Sequence, residues 1–122
     1  FIPTADDRPG TIEDALAGTR AMLAFYIGGM GAKGQNYHTK LAARMGLGEQ
    51  AERIQDLFLE GRGDEAVFEV PVEFADEISL VGTPARIADR VAAWKESPVT
   101  EILVHAADRA TLEQAADIIL SP

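Results

Sequence analysis

The sequence predicts an α/β chain that is mostly helical and whose sheet is incomplete. Three observations carry that reading. Apolar or small residues recur at Ile12, Ala15, Leu16, Thr19, Met22, Leu23, Tyr26 and Ile27, an i, i+3, i+4, i+7 spacing that predicts one amphipathic helix from Thr11 to Ile27. The last third runs helix, loop, apolar run, helix: "TPARIADRVAAWKE", "SPVT", "EILVHA", then "DRATLEQAADIIL". Three successive apolar residues, Ile102, Leu103 and Val104, read as a strand buried on both faces, which requires parallel neighbours. The chain offers one further candidate strand, Phe1 to Ala5, so one or two short parallel strands are expected.

Each element has its own signal. "DDRPG" is a turn by composition, and Thr11 is placed to cap the first helix. Gly28-Gly29 is expected to stop that helix. A second helix is expected over about 36–45, ended by Gly46, and a third over about 49–60, ended by Gly61, with Ala51, Ile54, Leu57 and Phe58 inward. Residues 64–69 suit a short helical turn, and Pro71 suits the start of another before "VEFADEI". "SLVG" is too short to assign. Thr83 as N-cap with Pro84 at the first helical position predicts a helix whose buried stripe is Ile87, Val91 and Trp94. Asp108 or Thr111 caps the last helix, with Leu112, Ala115, Ala116 and Ile119 inward.

Composition removes several functions. Without cysteine there is no disulfide, no thiolate chemistry and no Cys-bound zinc, which is compatible with the cytoplasm. A net charge of −9 repels nucleic-acid backbones. No apolar run approaches the length of a membrane span. Two histidines, in separate segments, do not have metal-ligand spacing, so no metal site is expected. The opening "FIPTADDRPG" is neither a Met start nor a signal peptide, and the chain reads as part of something longer.

The candidate chemistry centres on "YIGGMGAKGQNY", where four glycines and Lys33 fall between Gly28 and Gly34. Gly28, Gly29 and Gly31 allow positive φ or close backbone approach, and backbone N–H groups with the Lys33 ammonium suit a phosphate. The stretch is not a P-loop, and it follows a helix where a dinucleotide-binding turn follows a strand. The bland alternative is a helix stop and a turn. Gly82-Thr83 opens a helix whose N-terminus attracts anions. His38 and His105 are candidates for anion binding or proton transfer. Asp6-Asp7-Arg8 is a turn whose two acids point apart, Trp94 is core, and Asp56, Glu60, Asp64, Glu65 and Glu69 form a solvated face.

"LAFYIGGMGAKGQNYH", "RIQDLFLEGR", "VPVEFADEISLVGTPARIADRVAAW" and "EILV", in that order, resemble the C-terminal part of the luciferase-like monooxygenase superfamily, and within it the coenzyme F420-dependent oxidoreductases. The resemblance covers nearly the whole chain. It implies the C-terminal piece of a (β/α)8 TIM barrel of the bacterial luciferase type. Residues 1–9 would be the seventh strand and its turn, 10–82 a helical insertion, and 83–122 the seventh helix, eighth strand and eighth helix. It implies a parent enzyme that transfers a hydride between F420, or alternatively FMN, and an organic substrate, with the isolated piece inactive. Partners would be a small-molecule cofactor, a substrate and a second copy in a homodimer. Cofactor contacts would come from Gly29, Gly31, Lys33, Gly82 and Thr83, and no catalytic residue is assigned. Relatives carry an arginine shortly before the seventh helix; here that place reads "ADEISLVG", with Glu77. The reading that competes is a small acidic helical interaction module without chemistry.

Overall fold

The computed structural model describes residues 1–121. Two compact units emerge: Phe1–Ala15 with Ile78–Pro122, and Leu16–Glu77. The second lies inside the 10–82 segment expected to be helical.

In the first unit, strand β1 (Ile2–Pro3) pairs in parallel with β2 (Val81–Gly82), Ile2 opposite Val81 and Pro3 opposite Gly82. Helix α1 (Pro9–Ala15) follows β1 and starts before Thr11, which therefore lies inside the helix it was expected to cap. Helix α7 (Pro84–Lys95) follows β2, capped by Thr83, whose hydroxyl accepts from the Arg86 N–H at 3.3 Å. Asp108 caps α8 (Arg109–Leu120) by accepting from the Thr111 N–H at 2.8 Å. Ile87 and Val91 are fully buried, as the stripe predicts, whereas Trp94 is 40% exposed. "SLVG", unassignable by pattern, thus contributes the second strand.

"EILVHA" forms no strand, which corrects the expectation. Leu103 is 87% exposed and Ile102 39%. A strand buried on both faces is held by ladders on both sides. Among the described residues the sheet has two members, and neither is this segment. Its carbonyl at His105 accepts from the Phe1 ammonium at 3.2 Å.

The second unit is all helix: α2 (Ala17–Ala24), α3 (Tyr37–Ala42), α4 (Gly48–Leu59), α5 (Gly63–Glu69) and α6 (Val72–Glu77), with π-helical turns at Phe25–Gly29 and Ala43–Leu47. Its core gathers Ala24, Ile27, Ile54, Leu57, Ala66 and Val70. The helix expected as one piece from Thr11 to Ile27 breaks at Leu16, where ψ is −2°. The stripe explains the break: Ile12 is buried in the first unit, while the fully buried Leu16 and the residues after it belong to the second. Gly46 (φ +91°) and Gly61 (φ +77°) end their helices in the left-handed conformation. Among the described residues no helix is long and apolar enough to cross a membrane.

Candidate functional site

The glycine-lysine loop is built on α4. The helical run ends at Gly29, within the expected Gly28-Gly29 stop, after widening into the π-helical turn that carries both glycines. Neither has positive φ; in this loop that belongs to Gly34, at +76°. The first two glycines serve close approach instead. A Cβ on Gly28 would stand 2.6 Å from the Phe58 Cβ and 3.0 Å from the Ile54 carbonyl oxygen. A Cβ on Gly29 would stand 2.7 Å from the Phe58 ring. Phe58, on α4, therefore sits where two side chains are missing, and its ring meets Phe25 edge-on at 6.0 Å.

Asn36 closes the loop. It is 1% exposed, and its amide donates to the carbonyls of Tyr26 (3.0 Å) and Ile27 (2.8 Å). Its Oδ1 accepts from the N–H groups of His38 (2.8 Å) and Thr39 (3.4 Å), capping α3. One side chain ties the end of the helical run to the start of the next, and Thr39 Oγ1 donates to the Ile27 carbonyl as well, at 2.5 Å. A Cβ on Gly31 would stand 3.2 Å from the Asn36 Cα, so this glycine lets the clamp close. Gln55, 3% exposed, reaches the carbonyls of Gly31 and Ala32 at 3.5 Å.

Lys33 stands at the tip, 68% exposed, with its ammonium 2.6 Å from the Asp56 carboxylate. The Asp56 hydrogen bond and charge raise the lysine above its ordinary pKa, and Glu52 and Glu60 add to the effect. The ammonium therefore stays charged, held over an acidic face of α4.

His38 stacks edge-on against Tyr26 (4.9 Å) and Tyr37 (5.5 Å). With Tyr26, Leu23, Leu41, Met45 and Phe74 it lines a groove of about 210 Å³. Among the described residues no group of three His, Cys, Asp or Glu side chains is placed to hold a metal ion.

The other candidate pair lies in the first unit. Gly82 has φ +127°, and a Cβ there would stand 2.7 Å from Asp7 Oδ1 and 2.6 Å from Arg86 Cδ. Asp7 takes both donors of Thr83: its backbone N–H at 2.7 Å and its hydroxyl at 2.8 Å. The carboxylate a helix N-terminus attracts is thus supplied by the chain itself. Lys33, Gly29 and Gly31 share one loop, while Gly82 and Thr83 belong to the other unit.

Asp6, beside Asp7, turns the other way. Its carboxylate accepts from the Arg8 Nε at 2.9 Å and N–H at 3.0 Å. The Arg8 side chain first, then Thr11 and the Arg8 backbone, hold it at a pKa of about 2. A lowered carboxylate pKa stabilises the fold fully above the unfolded value, near 4, and that contribution fades as pH falls toward 2. NMR of the Asp6 carboxyl carbon is expected to show it still mostly ionised at pH 3; a midpoint near 4 contradicts the turn geometry.

The family model described as luciferase-like monooxygenase matches residues 7–101. The chain belongs to the luciferase-like monooxygenase family. This luciferase-like chain is also 34% identical, over 117 residues, to a Mycobacterium tuberculosis protein named "Putative coenzyme F420-dependent oxidoreductase Rv3520c". The alignment covers 96% of this chain and 32% of that relative, so the luciferase-like chain spans about a third of the relative's length. No solved structure matches it.

Sequence reasoning gave Asn36, Phe58 and Asp56 no part in the loop: it placed Asn36 at a helix start, Phe58 on an inward stripe and Asp56 on a solvated face. Asn36 carried a readable signal, an N-cap residue directly before "YHTKLA". The roles of Phe58 and Asp56 depend on α4 lying under the loop, and no local pattern announces that.

Proposed function

We propose that this chain is the C-terminal part of an F420-dependent luciferase-like oxidoreductase, with FMN as the alternative cofactor. The parent transfers a hydride between the cofactor and an organic substrate. In this reading the Phe1–Ala15 and Ile78–Pro122 unit contributes the seventh strand, seventh helix and last helix of a TIM barrel. The Leu16–Glu77 unit makes up most of the helical insertion assigned to residues 10–82. The observation that carries the reading is the family match over residues 7–101, together with a relative whose name states F420 dependence.

The residues present divide on how well they suit the cofactor phosphate. The Lys33 loop suits it. An exposed ammonium stands at the tip, Gly29 and Gly31 let Phe58 and Asn36 pack against the loop from inside, and the Asn36 clamp and Gln55 fix its shape. Thr83 suits it less, since Asp7 already engages both of its donors; Gly82 gives that carboxylate the room to do so. Lys33 is therefore the assigned phosphate contact, with Gly29 and Gly31 shaping its approach. Gly82 and Thr83 are assigned to the cofactor rim that Asp7 holds in shape. When bound, the deazaflavin or flavin supplies the hydride chemistry; the role of these side chains is to bind and orient.

The test is titration of F420 and of FMN into the full-length parent, followed by fluorescence. F420 binding is expected, weakened several-fold by Lys33→Ala. Binding of neither cofactor overturns the proposal. F420 binding unchanged in Lys33→Ala removes the lysine from the site and leaves the loop as a helix connection.

A further inference from the structure

We propose that Asp56 sets the anion affinity of the Lys33 loop, acting as an internal stand-in that a phosphate must displace. The inference rests on Lys33 being the phosphate contact.

The argument begins from geometry. The Lys33 ammonium lies 2.6 Å from Asp56 Oδ1, so an anion on the same nitrogen comes close to a carboxylate of like charge. The two side chains are 68% and 46% exposed, which places the pair among exposed ion pairs, weak and readily exchanged. The pair is thus tight enough to compete and weak enough to yield. Glu52 and Glu60 also act on the lysine, so one ammonium faces three carboxylates. Glu60 is partly neutralised by Arg62 at 3.0 Å, and Arg53 on the same face is engaged by Glu69 at 2.8 Å. Asp56 is the carboxylate in direct contact, and removing its charge takes away both the competitor and the nearest source of repulsion. The fold does not depend on it: Gln55 and Phe58 hold the loop to α4 through the Gly31 and Ala32 carbonyls and the bare faces of Gly28 and Gly29.

The experiment compares the full-length parent with Asp56→Asn, Lys33→Ala and the double variant, by F420 titration at low and at high salt. Asp56→Asn keeps the shape of the side chain and removes its charge. It is expected to tighten F420 binding roughly two- to fivefold at low salt, the range an exposed ion pair commands. The gain is expected to shrink at high salt and to vanish when Lys33 is alanine. A second readout needs no cofactor: the Lys33 ammonium is expected to titrate at lower pH in Asp56→Asn, and inorganic phosphate to shift its NMR signal more than in the parent.

F420 binding that is unchanged or weaker in Asp56→Asn, with the protein folded, overturns the inference while leaving the cofactor reading intact. Weaker binding identifies Asp56 as a support that positions the ammonium. A gain that persists in the double variant overturns it too, since the carboxylate then acts elsewhere. Absence of F420 binding in every variant overturns the cofactor reading and this inference with it.

Discussion

Asn36→Ala is expected to lower the stability of the protein by about 1–3 kcal/mol, in line with a lost N-cap plus lost amide bonds to two carbonyls, of which that of Ile27 keeps the Thr39 hydroxyl as a donor. The truncation removes the acceptor for the His38 and Thr39 N–H groups and the donor to the Tyr26 and Ile27 carbonyls. Asn36 is 1% exposed, so water does not easily replace what is lost. Urea unfolding gives the loss directly. Hydrogen exchange adds position: His38 and Thr39 amides are expected to lose protection before the core of α4. Asn36→Asp restores the cap acceptor without the amide donor, so it should recover only part of the loss. A cost below about 1 kcal/mol for Asn36→Ala would show that the clamp is not what holds the loop.

Gly28→Ala is expected to cost about 1–3 kcal/mol, the range for forcing an extra carbon into a packed contact. Its Cβ meets the Phe58 Cβ and the Ile54 carbonyl, atoms fixed to the frame of α4, so the π-helical turn and α4 must separate. Gly29→Ala offers the control. Its Cβ meets mainly the Phe58 ring, with Phe25 at 3.3 Å. Truncating Phe58 to alanine removes the ring but leaves the Cβ. Phe58→Ala is therefore expected to relieve much of the Gly29→Ala penalty and little of the Gly28→Ala penalty, read as a double-mutant cycle. Equal relief at both positions contradicts the packing described.

On the proposed F420 reading, both substitutions bear on cofactor binding through Lys33, because the clamp and the close approach fix the loop that carries it. In the full-length parent each is expected to weaken F420 binding along with stability. Lys33→Ala, at an exposed position, is expected to weaken binding while leaving stability nearly untouched. That contrast separates shaping the loop from touching the ligand.

Much of this protein was legible from local patterns, because the forces involved are local. Thr83-Pro84, Asp108, Gly46 and Gly61 mark helix ends through capping and backbone conformation, which act within a few residues. The order of motifs likewise carried the family, and the match over residues 7–101 agrees. Other features were decided by neighbours far along the chain. "EILVHA" has the composition of a buried strand, yet a strand exists only where ladder partners stand beside it, and among the described residues the only ladder joins Val81–Gly82 to β1. The Thr11–Ile27 stripe looked continuous, yet its two ends serve different units, so it broke at Leu16. Gly28 and Gly29 signal a helix stop in any sequence; here Phe58, thirty residues away by number, turned the missing side chains into a packing surface. Asp7 and Asp56 look like solvated acids, and only the fold placed one on Thr83 and the other on Lys33. The sequence alone determined the helix ends marked by Thr83, Asp108, Gly46 and Gly61 and the family of the chain, since those depend on short-range bonds and motif order. The tertiary structure decided which glycines are for contact and which charges are already engaged, since both depend on what the folded chain brings alongside.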